Sequence, residues 1–155
     1  MAVTKTQGTS LYMVTGATTS ALVGNITSFN PPSPTADEIE TTNLASTAKE
    51  FVQGLIDYGE GSFEVNFDPS SAAHQAILAD LAAGTTREFL IGFSDATTAA
   101  PTVASSAFGS PATTRSWVKF TGFIKGFVMQ GGTNALVTAT LTIRNSGSPT
   151  YTWKV

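Results

Sequence analysis

The chain has 155 residues, of which 41% are hydrophobic and only 12% charged, with a formal net charge of −3 and no cysteine. That length suits one domain and the apolar share is enough for one core, which excludes global disorder, while the charged share is roughly half of the usual quarter. The eight Lys and Arg residues are scattered from Lys5 to Lys154, which excludes a clustered grip on nucleic acid, and the missing thiols exclude a disulfide framework and a thiolate metal site.

Residues 1–8 are small and polar and read as an arm. They contain no apolar signal core, and no run approaches the roughly 20 apolar residues of a membrane helix. The expectation is a chain made and kept in the cytoplasm until it joins something larger. Residues 11–14 form a short apolar strand with Thr15-Gly16 as its turn. Residues 21–29 read as a second strand, irregular at Gly24-Asn25, and Pro31, Pro32 and Pro34 then break regular structure. From Thr35 the chain alternates weakly, with Asp37, Ile39 and Thr41 on one side and Glu38, Glu40 and Thr42 on the other, which suits an exposed or edge strand.

Residues 43–61 read as a long loop. Thr47-Ala48-Lys49-Glu50 has capping-box spacing, and Phe51, Val52, Leu55 and Ile56 follow at helical spacing. Gly54 and Gly59 limit any helix to a turn or two. A connection of this length is uncommon inside a compact domain, and its large apolar residues ask for a partner.

Residues 62–68 are the clearest strand, with Phe63, Val65 and Phe67 inward and Ser62, Glu64, Asn66 and Asp68 outward. Asp68-Pro69 opens a helix with Asp68 as N-cap, its apolar stripe is Ala73, Ile77, Leu78 and Leu81, and Gly84 closes it. Residues 87–93 alternate again, with Phe89, Ile91 and Phe93 on one face. Residues 94–114, rich in Ala, Ser, Thr and Pro, read as an exposed, mobile loop with room for a short strand. Residues 116–129 and 135–145 are long strands joined by a hairpin in which Gly131-Gly132 supplies positive φ. Val137, Ala139, Leu141 and Ile143 face inward, and Leu136, Thr138, Thr140, Thr142 and Arg144 face out. Tyr151 and Trp153 suggest an ordered tail. The expected fold is a single mainly β domain over residues 1–155, a two-sheet β-sandwich or small barrel with one packed α-helix.

Little chemistry is on offer. His74 is the lone histidine, with no nucleophile and carboxylate placed beside it, and reads as structural. Asp57 and Glu60 flank Gly59, but no further ligand follows at calcium-loop spacing, so they read as solvated acids at a turn. Trp117, Phe120, Phe123 and Phe127 interleave with Lys119 and Lys125. Alternation puts Trp117, Phe123 and Phe127 on one side and Phe120 on the other, which reads as core packing rather than a base-stacking platform. No catalytic residue, cofactor site or metal site is expected.

One segment carries a resemblance. Lys49-Glu50-Phe51-Val52-Gln53-Gly54-Leu55-Ile56-Asp57-Tyr58-Gly59-Glu60-Gly61 runs directly into Ser62-Phe63-Glu64-Val65-Asn66-Phe67-Asp68-Pro69 and then into the expected helix. It resembles the signature of siphophage major tail tube proteins, a loop like Glu-Phe-Ile-x-Gly-Leu-x-Asp-x-Gly-Glu followed by a strand like Ser-Phe-x-x-Asn-Phe. The order of elements from Leu11 to Asn145 fits as well. Residues 94–114 have no counterpart, and no immunoglobulin-like domain follows within this sequence, as it does in some relatives.

The resemblance implies a structural virion protein whose copies stack as hexameric rings around a hollow tube, alongside other tail proteins. The genome would pass through without specific binding, and nothing would insert in a membrane. One sheet would join its neighbours to line the tube. The arm and the loop at residues 43–61 would contact the adjacent ring, through Lys49, Glu50, Phe51, Leu55, Ile56 and Asp57. Candidate lumen-facing acids are Glu38, Glu40, Glu64 and Asp68. The alternative is a monomeric β-sandwich binding module, for instance for carbohydrate, with Trp117, Tyr151 and Trp153 as stacking platforms. Such a module has no use for residues 43–61.

Overall fold

A computed structural model describes residues 3–155; Met1 and Ala2, the start of the expected arm, lie outside the described residues. Most of the strands build one antiparallel sheet in the order β2 (Ser20–Val23), β1 (Ser10–Val14), β7 (Thr86–Gly92), β10 (Trp117–Gln130), β11 (Thr138–Asn145), β6 (Glu60–Asn66), β3 (Ile26–Asn30), and β12 (Thr150–Thr152) adds to the first residues of β10. The edge strands β2 and β3 are consecutive in sequence. The expected single strand over residues 21–29 is therefore two strands, broken where Asn25 takes a left-handed φ of 60°. The step from Val23 to Ile26 can span only about 10 Å. It brings the two edges of the sheet together, so the sheet rolls into an open barrel.

The interior holds Leu11, Met13, Phe63, Val65, Phe89, Ile91, Phe120, Ile124, Leu141 and Ile143. Helix α1 (Ala72–Ala83) covers it with Ala73 and Ile77 buried and Leu78 and Leu81 packed alongside. The helix begins later than Pro69, with Ser71 as N-cap. Asp68 instead builds the preceding turn, its Oδ1 accepting the Ser70 N–H at 2.9 Å and the Ser70 hydroxyl at 2.7 Å. Gly84, at φ 66°, ends the helix as expected. Phe67 lies just past the end of β6 and is half-buried, its ring 5.9 Å from that of Phe127.

A bulge at Lys125 corrects the phase of the aromatics on β10. Inward positions run Val118, Phe120, Ile124 before it and Phe127 after it, because the extra residue shifts the alternation by one. Phe120 and Phe127 thus share the core, while Phe123 is exposed. In the following hairpin the left-handed residue is Asn134 (φ 58°), not a glycine, and Val137 is exposed because the β11 ladder starts only at Thr138.

Residues 94–114 are not a free loop. They carry a small hairpin, β8 (Val103–Ala104) with β9 (Ala107–Phe108), whose Val103 and Phe108 bury against Val14, Leu90 and Trp117 on the second face of the sheet. Arg115 fixes the return: its guanidinium donates to the carbonyls of Phe93 (2.5 Å), Thr98 (2.9 Å), Gly92 (2.8 Å) and Gly8 (3.2 Å) and lies 4.8 Å from the Trp117 ring centre. This cover reaches only β1, β7 and the first half of β10. Over β3, β6, β11 and the second half of β10 the outer face meets solvent.

Candidate assembly surfaces

The segment that carried the resemblance is a strand where a short helix was expected. β5 (Phe51–Asp57) pairs with β4 (Thr35–Glu40), with a bulge in β5 where Gly54 and Leu55 oppose Asp37. The helical spacing of Phe51, Val52, Leu55 and Ile56 fits a strand equally well, because large residues occupy both faces. Ala36, Glu38, Glu40, Phe51, Gln53 and Ile56 share one face; Asp37, Ile39, Val52, Gly54 and Leu55 share the other. Every residue of the two strands except Gly54 is exposed, Leu55 at 88% and Phe51 at 51%. A two-stranded hairpin standing alone is marginal in water, and this one leaves its apolar side chains uncovered.

The tip is tied by short-range bonds: the Thr41 N–H reaches the Glu50 carbonyl at 2.8 Å, and the Ala45 N–H reaches Asn43 Oδ1 at 2.9 Å. Glu50 donates its own N–H to Thr42 Oγ1 at 3.0 Å, and Lys49 lies 3.7 Å from Glu40. The base is held more firmly. Arg144 Nη2 sits 2.9 and 2.8 Å from the two carboxylate oxygens of Asp57, and the Gly59 N–H donates to Asp57 Oδ1 at 2.9 Å. The Gly59 N–H first, and the Arg144 guanidinium second, hold the Asp57 carboxyl below its ordinary pKa. Glu60 pairs with Lys125. The two acids expected to be simply solvated each neutralise a cation. Gly59, at φ 69°, makes the bend, and a Cβ there would come within 3.0 Å of the Ser33 carbonyl oxygen.

The four candidate lumen-facing acids sit on three different parts of the chain. Glu64 lies on the uncovered sheet face and accepts the Ser28 hydroxyl at 2.8 Å. Glu38 and Glu40 stand on the projecting hairpin, and Asp68 is engaged in the turn before α1. His74 is buried: its Nδ1 accepts the Asp68 N–H at 3.1 Å, which leaves Nε2 to donate to the Gly24 carbonyl at 3.4 Å. It thereby ties the β2–β3 corner to the helix. Trp117 is buried and cannot serve as a stacking platform; Tyr151 and Trp153 stack on each other, exposed, with ring centres 5.6 Å apart.

Two features escaped sequence reasoning. Residues 124–130 of β10 run past the end of β7 and present an unpaired edge. Arg115 is a buried cation whose only signal was its place two residues before a Trp.

The model of a family described as phage tail tube, TTP, lambda-like matches residues 2–155. The chain is 36% identical over 152 residues to structural protein 3 of Pseudomonas phage PAJU2, which covers 95% of this chain and 92% of that protein. Among solved structures, the fold matches the SPP1 tail tube (TM-score 0.68, 9% identity, 99% of this chain and 81% of that one). It also matches the C6-symmetric tail of an empty gene transfer agent particle (TM-score 0.65, 16% identity, 92% and 95%).

Proposed function

The chain belongs to the lambda-like phage tail tube family, and we infer that its copies stack as hexameric rings into the tube that conducts the genome to the host. It is a structural protein of the virion tail, and its family is not one of enzymes. One observation carries the assembly reading: the β4–β5 hairpin presents Ile39, Phe51, Val52, Leu55 and Ile56 to solvent. The partner for it in this reading is a second copy in the adjacent ring, and the arm at residues 1–8 is expected to meet the same boundary.

On the uncovered part of the sheet, two edges are free for pairing within a ring: β3, which pairs only with β6, and residues 124–130 of β10. Joining one to the other extends the β3–β6–β11–β10 sheet from subunit to subunit and satisfies both rows of backbone groups. The uncovered face of that sheet then lines the channel. It carries Glu60, Glu64 and the adjoining Asp57 against Lys125 and Arg144, and each of the two cations is bound to a carboxylate. Phosphates passing along it meet no unpaired cation from this set, which suits a conduit that does not hold DNA.

The test is negative-stain microscopy with size-exclusion chromatography at rising concentration. Hollow tubes of sixfold rings are expected. A monomer that persists at every concentration and binds glycans on Tyr151 and Trp153 overturns the reading in favour of a binding module.

A further inference from the structure

We propose that the β4–β5 hairpin of one subunit seats its Leu55 face in a groove at the far end of the same sheet in a subunit of the next ring, against Leu136, Val137 and Met129. The proposal rests on the tube reading and names the receiving surface that reading leaves open. Along the β6–β11 ladder, Glu60 pairs with Arg144 and Asn66 with Thr138. The hairpin leaves the sheet at the Glu60 end, and the β10–β11 turn closes it at the Asn66 end. The two ends are separated by about 20 Å of strand. At the Asn66 end Met129, Leu136 and Val137 are exposed, Leu136 at 71%. A cavity of about 410 Å³ there is lined by Asn66, Gln130, Gly131, Ala135, Leu136 and Thr138 among others, none of them charged.

The occupant is a second copy of this chain. The hairpin is acidic, with Asp37, Glu38, Glu40 and Glu50 against Lys49, so an acidic receiving end would repel it. The groove bears no carboxylate, and its apolar rim matches the most exposed apolar side chain of the two hairpin strands, Leu55. Because donor and acceptor surfaces sit at opposite ends of one subunit, the contact is head-to-tail and repeats without limit along an axis. Lateral edge pairing closes each ring; this contact adds ring upon ring.

The chain has no cysteine, which permits a clean crosslinking test. The double variant Leu55→Cys/Leu136→Cys is assembled and treated with a short bismaleimide. A ladder of covalent species extending beyond one ring is expected, absent from either single variant. Tubes in the microscope without that ladder overturn the proposal and leave the tube reading standing. A wild-type chain that never forms tubes overturns both. If the double variant does not fold, Val52→Cys/Val137→Cys asks the same question further along each surface, Val52 sharing the face of Leu55, with the same outcomes.

Discussion

Arg144 on β11 holds Asp57 across the base of the projecting hairpin, its Nη2 within 2.9 Å of both carboxylate oxygens. The pair links the packed sheet to a hairpin whose apolar side chains are exposed. Removing the charge of that carboxyl is therefore expected to loosen the base of the hairpin. The Asp57 pKa is lowered in the fold. Its contribution is present above the unfolded carboxyl value of about 3.9 and is lost as pH falls through the lower folded value. Hydrogen exchange of the β5 amides should accelerate in that acid window, and Asp57→Asn should show the same acceleration at neutral pH. Unchanged β5 protection in Asp57→Asn would mean that the pair does not fix the hairpin.

The arm should matter to assembly and not to folding. The Lys5 carbonyl accepts the Ser94 hydroxyl and the Gly8 carbonyl accepts Arg115, both at the surface end of the sheet, and residues 3–7 bury little. Deleting residues 1–6 should leave the thermal midpoint nearly unchanged and reduce tube formation. Normal tubes from the truncated chain would remove the arm from the ring boundary.

In the core, Phe63 is 1% exposed whereas Phe67 is half-buried beyond the strand end. Phe63→Ala should cost roughly 3–5 kcal/mol, the range for a large aromatic taken from a closed core, and Phe67→Ala distinctly less. Denaturant titration of the two variants decides it; equal costs would mean that the end of β6 is as tightly packed as its centre.

Arg115→Lys tests the buried guanidinium. A lysine has one ammonium with which to meet the four carbonyls that the planar guanidinium now satisfies, and each buried acceptor left bare costs about 1–3 kcal/mol. The variant should melt lower, and residues 94–98 should lose hydrogen-exchange protection. A lysine variant as stable as the parent would show that the carbonyls find other donors.

How far the sequence carried the fold depended on which residues announced themselves. Phe63 and Val65 alternate with polar neighbours on a half-buried strand, so their phase was readable. The 12-residue helix was readable from its apolar stripe and Gly84, although Asp68 was read as its cap when it builds the turn before. Phe51, Val52, Leu55 and Ile56 misled because periodicity assumes that one face is buried within the same chain. A hairpin whose two faces are both uncovered in its own subunit has no such constraint. The bulge at Lys125 and the turn at Asn134 were invisible for a different reason: each is set by what lies across the strand pair. The burial of Val103 and Phe108 was likewise hidden among small residues. The assembly surfaces were legible only as a resemblance over residues 49–69, and the charge pairing that surrounds them needed the register of β6, β10 and β11.

That pairing gives the last prediction. Lys125 on β10 is bound to Glu60 on β6, on the sheet face proposed to line the channel. Glu60→Gln should leave folding intact, since the amide keeps the shape of a side chain at the surface, but it frees the ammonium of the exposed Lys125. In a ring every subunit repeats the change, so one unpaired lysine becomes a belt of positive charge. Its reach is near the Debye length, about 8 Å at physiological salt and longer at low salt. DNA phosphates would exchange counterions for that belt and linger. Tubes of the Glu60→Gln variant should therefore retain duplex DNA and slow its passage, most at low ionic strength. The double variant Glu60→Gln/Lys125→Gln, which removes both charges, should restore free passage. Passage unchanged in Glu60→Gln at low salt, in tubes that assemble normally, would place this face away from the channel. Retention that persists in the double variant would assign the effect to something other than the freed lysine.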